Sequence, residues 1–279
     1  MFGGQPSSVN SVVMHMDIIV CVKQIVDPEI PAAIFKIDPE VKRAILPDGW
    51  GRVISDYDKN AVEAALRIRD AHGGKVIVLS LGPESAVEAI RECIAMGAEK
   101  GILVSDRSLD DSNTYAAAYV LSQTIRKIAE FDLILCGRQE GDWDAGQVGS
   151  GIARFLGIPC VTTVGKIEVK GSGLEVEQVT ADGRNIIGVS LPALLTVSSE
   201  VGNPRYPTVR RLLAASKTEI PIWGAADVNA EPAKIGEVRT RMVRLSTIVR
   251  EAKCEFLKAE TPEEAGVRLA NKLREVNLL

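Results

Sequence analysis

Short, nearly continuous apolar runs alternate with stretches of helical period through the first half of the chain. Asp17 to Lys23 (DIIVCVK), Lys75 to Leu81 (KVIVLSL), Gly101 to Val104 (GILV) and Asp132 to Cys136 (DLILC) have the unbroken apolar character of strands covered on both faces. Between them, Lys59 to His72 carries small or apolar residues at Ala61, Ala64, Ala65 and Ile68, with charges opposite. Glu84 to Met96 stops at Gly97, a residue suited to a helix C-terminus. Ser112 to Glu130 opens on an Asp-Asp-Ser cap signal and keeps apolar residues at helical spacing. Strands separated by helices of this length predict βαβ units and a Rossmann-like, mostly parallel α/β sheet flanked by helices.

The pattern changes after residue 157. Ile158 to Val164 and Lys166 to Val169 are strand-like, Gly171-Ser172-Gly173 is a turn, and Leu174 to Val179 alternates apolar and polar residues. Asp182-Gly183 is a second turn, followed by Asn185 to Val189 and Ala193 to Val197. This reads as a meander of antiparallel hairpins added to the parallel sheet. Pro207 opens a helix through Thr208 to Lys217. Residues 219 to 260 show no strong period and read as an extended arm, and Pro262, capped by Thr261, starts a last helix to about Glu275. Three regions are expected: a disordered extension over 1–15, an α/β domain over 16–218, and a C-terminal arm with its helix over 219–279. Met16, just before the first strand, is the expected natural start.

Composition narrows the chemistry. With 279 residues, 46% apolar and 25% charged, the chain has ordinary globular makeup. Lys plus Arg number 33 against 37 acids, a net charge of −4, which disfavours a general nucleic-acid binder. The five cysteines, Cys21, Cys93, Cys136, Cys160 and Cys254, show no C-x-x-C spacing, so neither a disulfide framework nor a zinc site is expected. His15 and His72 are the only histidines, which leaves little for a histidine triad or metal centre. No catalytic or metal-ligating set is assigned. No apolar run approaches the ~20 residues of a membrane span, and the first 15 residues lack a signal-peptide pattern. A reducing cytoplasm is the expected compartment.

The segment from Cys136 to Gly157 (CGRQEGDWDAGQVGSGIARFLG) carries the densest candidate chemistry. A buried strand runs into a glycine-rich loop and then a helix from Gln147 to Leu156. Ligands of open parallel sheets sit beyond strand ends, and a helix start offers unpaired N–H groups to a phosphate. The spacing is neither G-x-G-x-x-G nor a Walker A loop. The pattern alone fits equally a tight turn in which Asp144 caps the helix. Asp142 and Asp144 fit a cap plus a ribose acceptor better than an acid/base pair. Lys23 reads either as an anion partner or as a surface cation, and Ser55 to Asp58 more as helix caps than as ligands. Farther along, Arg205, Arg210, Arg211 and Lys217 gather positive charge, either on an amphipathic surface helix or on a docking surface for an acidic partner.

Several of these segments together resemble the electron transfer flavoprotein beta subunit. GRQ-x-x-D-x-D-x-x-QVG at Gly137 to Gly149 and NPRYPT at Asn203 to Thr208 carry the resemblance. V-x-VKQIVD at Val20 to Asp27, AVEAALRI at Ala61 to Ile68, LGPESAVEAIRECIAMGA at Leu81 to Ala98 and Leu191-Pro192-Ala193 add to it, in the same order, from Met16 onward. It implies a cytoplasmic heterodimer with an alpha subunit that holds the electron-transferring FAD, the C-terminal arm wrapping that partner. It implies a second adenine nucleotide in this chain: AMP in simple carriers, or FAD in bifurcating members, which oxidise NADH.

Carried over, the nucleotide site comprises Cys21, Ser55, Asp56, Tyr57, Asp58, Leu81, Gly137, Arg138, Gln139, Asp142, Asp144, Ala145, Gly146, Gln147, Val148 and Gly149. Ser199, Glu200, Val201, Gly202, Asn203, Pro204 and Arg205 match the recognition loop, with Val201 as the apolar anchor for a partner. The resemblance implies an acyl-CoA or other dehydrogenase as that partner, with a membrane quinone oxidoreductase among the acceptors. Val148 stands where AMP-type members carry threonine, which favours FAD, while Glu140-Gly141 and Trp143 depart from the bifurcating pattern.

Overall fold

The computed structural model describes residues 15–109, 113–128, 130–237, 240–247 and 254–279. The expected extension over 1–15 therefore falls, apart from His15, outside the described residues, and so does the Asp-Asp-Ser signal at 110–112. The first strand, β1 (Ile18–Val22), is buried along its whole length. It is followed by β2 (Gln24–Val26), a small hairpin of β3 (Lys36–Asp38) and β4 (Arg43–Ile45), and β5 (Arg52–Ile54), which pairs back on β2. Then come α1 (Asp56–His72), β6 (Val76–Leu81), α2 (Val87–Met96), β7 (Lys100–Val104), α3 (Thr114–Ile128), β8 (Leu133–Gly137) and α4 (Val148–Leu156). The second half supplies β9 (Cys160–Lys170), β10 (Gly173–Thr180), β11 (Gly183–Ser190), β12 (Ala193–Val197), α5 (Val209–Ala215), β13 (Ile222–Trp223), α6 (Pro232–Ile235) and α7 (Pro262–Glu275).

One sheet of nine strands runs in the order β11-β10-β9-β12-β8-β1-β6-β7-β13. Every neighbouring pair from β9 to β13 is parallel; only β10 and β11 are added antiparallel. The period of two divides β1 cleanly. Ile18, Val20 and Val22 face a core formed with α1 and α2, whereas Ile19 and Cys21 face a second core with α3 and α4. That is why the strand reads as unbroken apolar sequence.

Two expectations need correction. Ala193–Val197 is not a rung of the antiparallel meander. It is fully buried and inserted between β9 and β8, parallel to both. Its ALLTV run has no polar face to give to solvent, so a central position suits it. Ile158 to Val169 is one long strand from Cys160, not two. Asn113 accepts from Ala116 N–H at 3.0 Å and so fastens the start of α3.

Past residue 218, β13 pairs with β7, and Ala225, Val228 and Ala230 are buried against the second core. Thr261 caps α7, accepting from Glu264 N–H at 3.2 Å, and no residue of that helix is buried. Among the described residues, no helix is long and apolar enough to cross a membrane, and no group of three or more acidic, His or Cys side chains is placed to hold a metal.

Candidate functional site

From β1 the chain passes to β6 and β7 on one side, then returns to β8 on the other. The crevice outside the carboxyl ends of β1 and β8 is thus a topological switch point, the usual ligand position in such sheets. α1 starts at this end on one face, and α4 starts there on the other.

Asp58, in the first turn of α1, closes the floor. Its carboxylate accepts from Lys23 N–H at 2.8 Å and Gly137 N–H at 3.0 Å, joining the ends of both strands. Burial pushes its pKa up from 3.8 to about 7, against the opposing pull of those two N–H groups and the Lys23 ammonium; the Glu140 charge adds to the rise. Ser55 does not cap α1; its hydroxyl accepts from Gly141 N–H at 3.3 Å across the crevice. Gly137 has no room for a side chain, since a Cβ there would lie 2.5 Å from Asp58 Oδ1 and 2.7 Å from Tyr57 Cβ. Cys21 and Cys136 are opposite one another in register, and the hydrogen bond between them together with burial pushes the Cys136 thiol up. That keeps it a packed, unreactive group.

The loop above folds on itself. Gln139 donates to Asp144 at 2.8 Å, and Gly146 N–H donates to Glu140 Oε2 at 3.2 Å. Asp144 and Gly146 take positive φ values of 52° and 59°. Asp144 therefore serves the loop and does not cap α4, whose first position past the loop is Gln147; that side chain instead accepts from Thr114 at 2.8 Å. The α4 ladder begins with Gly151 N–H to Gln147 O, so the N–H groups of Val148, Gly149 and Ser150 have no helical acceptor. Gly149 lets α4 press on the sheet, because a Cβ would come within 2.8 Å of Thr196 Cγ2.

Among the described residues, two buried polar atoms near the strand ends have no hydrogen-bond partner, Ser80 Oγ and Arg138 Nε. The Arg138 guanidinium lies 4.7 Å over the Tyr57 ring. Lys23 forms an ion pair with Asp142 at 2.8 Å. Leu81 and Val148 lean on the second core, while Asp56 and half-exposed Trp143 face outward and Ala145 is partly covered.

The 199–205 loop is a separate region, connected to the crevice by Arg138 N–H, which donates to Val197 O at 2.8 Å. Ser199 to Val201 form a single helical turn. Val201 is partly buried against the first core, whereas Tyr206 stands 96% exposed just beyond. The loop is bound to α1 by residues not singled out from sequence: Asn60, Glu63 and Arg67. A signal for them existed, since Glu63 and Arg67 are the only polar residues in the apolar run Ala61 to Ile68.

A large, mostly parallel sheet flanked by helices, with a crevice at its switch point, defines a Rossmann-like α/β class of protein. Within that class, residues 45–228 match the electron transfer flavoprotein domain. The electron transfer flavoprotein subunit beta of Megasphaera elsdenii is 42% identical over 228 residues, covering 79% of this chain and 83% of that protein. The subunit beta of Clostridium acetobutylicum is 36% identical over 93% of this chain and 98% of its own length. The caffeyl-CoA reductase-Etf complex subunit CarD of Acetobacterium woodii is 36% identical, over 95% and 100%. The chain belongs to the electron transfer flavoprotein family.

Proposed function

We propose that this chain is the beta subunit of a heterodimeric electron transfer flavoprotein, that it holds an adenine nucleotide in the β1/β8 crevice, and that the 199–205 loop docks a partner dehydrogenase. The observation that carries the reading is the crevice itself: the Val148, Gly149 and Ser150 N–H groups, which start α4 without a helical acceptor, and Ser80 Oγ and Arg138 Nε, which have no partner among the described residues. This donor set fits a phosphate-bearing ligand. In the proposal, Val148 to Ser150 N–H receive phosphate, Asp58 ties the two strand ends together beneath the ligand, and Asp142 or Asp144 accepts from ribose hydroxyls. FAD is the favoured ligand, with AMP the second reading; the half-exposed indole of Trp143 beside the crevice is the feature that favours the smaller one. Bound FAD would supply a ring that takes a hydride from NADH and passes electrons on singly.

An alpha-subunit partner is supported by α7, which buries nothing and exposes Val267, Leu269, Val276, Leu278 and Leu279 on or just after it. In this reading the complex works in the reducing cytoplasm, where five free cysteines are at home.

The test is to co-express the chain with an alpha subunit, release nucleotides with acid and count them per heterodimer. Two flavins are expected; one flavin with AMP would install the second reading. A complex with no adenine compound beyond the alpha subunit's FAD would remove the crevice from the proposal.

A further inference from the structure

One stripe of α1 grips the 199–205 loop. Asn60, Glu63, Arg67 and Asp70 recur at helical spacing along it, while Ala61, Ala64, Ala65 and Ile68 anchor the helix in the first core. Three consecutive loop carbonyls are taken up by this stripe. Asn60 donates to Gly202 O at 2.8 Å, and the two arms of the Arg67 guanidinium donate to Val201 O at 3.1 Å and Asn203 O at 3.0 Å. A fourth point is Glu63, which accepts from Arg205 N–H at 3.1 Å and from its guanidinium Nε at 2.7 Å. Glu63 also accepts from Arg67 Nε at 2.7 Å, so one buried carboxylate sets both guanidinium groups. Asp70 takes the other side of Arg205 at 2.9 Å. Gly202, at φ 119°, is the residue this grip requires, since a side chain there would run into the Arg67 guanidinium.

We infer that Glu63, with Asn60 and Arg67, is a positioning residue for partner docking: it holds the 199–205 loop in one shape before a dehydrogenase arrives. A loop ordered in advance loses less freedom on association, and so binds more tightly for the same contacts. The inference rests on the docking role proposed for that loop. None of the three residues touches the crevice contacts described above, although α1 contributes its first turn to that crevice.

The test uses the complex with the alpha subunit and the isosteric variant Glu63→Gln. Amide hydrogen exchange across Val201 to Arg205 is expected to rise about ten-fold or more, because a charge-assisted attachment is lost. Exchange across Val148 to Leu156 and the bound nucleotide count should stay as in the wild type. For an acyl-CoA dehydrogenase first shown to react with the wild-type complex, KM should rise by a similar factor with kcat little changed. Arg67→Lys keeps the charge but loses the two-armed reach, and should give the same changes at smaller size; it carries the test if Glu63→Gln does not fold. Unchanged exchange across the loop overturns the inference. Faster exchange with an unchanged KM also overturns it, provided Val201→Ala does raise KM. If Val201→Ala leaves KM alone as well, the docking role itself has failed, and the inference falls with it.

Discussion

Asp58 and Glu63 lie five residues apart on one helix, and both carboxylates are buried, yet their surroundings drive them in opposite directions. Asp58 meets two backbone N–H groups, and its burial prevails, raising its pKa to about 7. For Glu63 burial also pushes upward, but the hydrogen bonds from Arg205 and Arg67 outweigh it and hold the carboxyl below its usual range. Dipoles at the crevice leave a group that takes up a proton near neutrality; full charges at the loop make a lock. α1 thus joins an adjustable end to a fixed one. The ligand crevice and the pre-shaped docking loop proposed above ask for those two characters respectively.

The largest expected effect breaks the comparison at Asp58. A carboxyl raised from 3.8 to about 7 on folding contributes stability that is complete at acidic pH and disappears as pH rises through the folded value. Between about pH 4 and about pH 7 the wild-type complex should therefore lose on the order of 4 kcal/mol from this group. Asp58→Asn should abolish that slope, because nothing there titrates. Glu63 has the opposite sign: its contribution is present above its ordinary value of 4.5 and is lost as pH falls through the lowered one. Urea unfolding of both proteins across this range is the measurement, and an identical slope in the variant would rule out the crevice end as described.

Two glycines sharpen the same contrast at a smaller scale. At Gly137 an added methyl meets the Tyr57 backbone at 2.8 Å, so α1 must move off β8. Gly137→Ala is expected to cost about 3 kcal/mol and to release nucleotide. At Gly202 the obstacle is the far end of a flexible arginine, and the remaining cost comes from the positive φ. Gly202→Ala is expected to cost about 1 to 2 kcal/mol, with nucleotide retained and dehydrogenase KM raised. Equal nucleotide loss in the two variants would mean that crevice and loop are not separate regions.

What sequence reasoning could reach follows from the range of the interactions. β1, β6, β7 and β8 are legible because strands buried on both faces cannot afford polar interruptions. The Thr261-Pro262 start of α7 and the Gly171 and Asp182 turns are legible because local backbone chemistry decides them. The place of β12 is not, because sheet order is set by packing between distant segments, and ALLTV suits any covered strand. Asp144 resembles a cap by residue type, but its positive φ depends on how the loop closes through Gln139 and Glu140. Glu63 is visible only as an oddly polar residue in an apolar run. Its partner Arg205 lies 142 positions away, and no local pattern joins them.

The smallest expected effect concerns the two ion pairs. Arg205 reaches a carboxylate whose side chain is 5% exposed, whereas Lys23 and Asp142 meet at the crevice mouth with side chains 38% and 22% exposed. Water and salt screen the second pair, and holding two flexible side chains together offsets much of its attraction. Lys23→Met should therefore shift unfolding stability by less than about 1 kcal/mol, and the shift should fade at high ionic strength. The same variant decides what the lysine is for. If Lys23 turns from Asp142 to a bound phosphate, nucleotide affinity will fall far more than stability does; if affinity and stability both stay near wild type, Lys23 is a surface cation that happens to stand at the mouth of the crevice. The first result would extend the proposed anion-binding set across to the end of β1, and the second would leave Lys23 outside it.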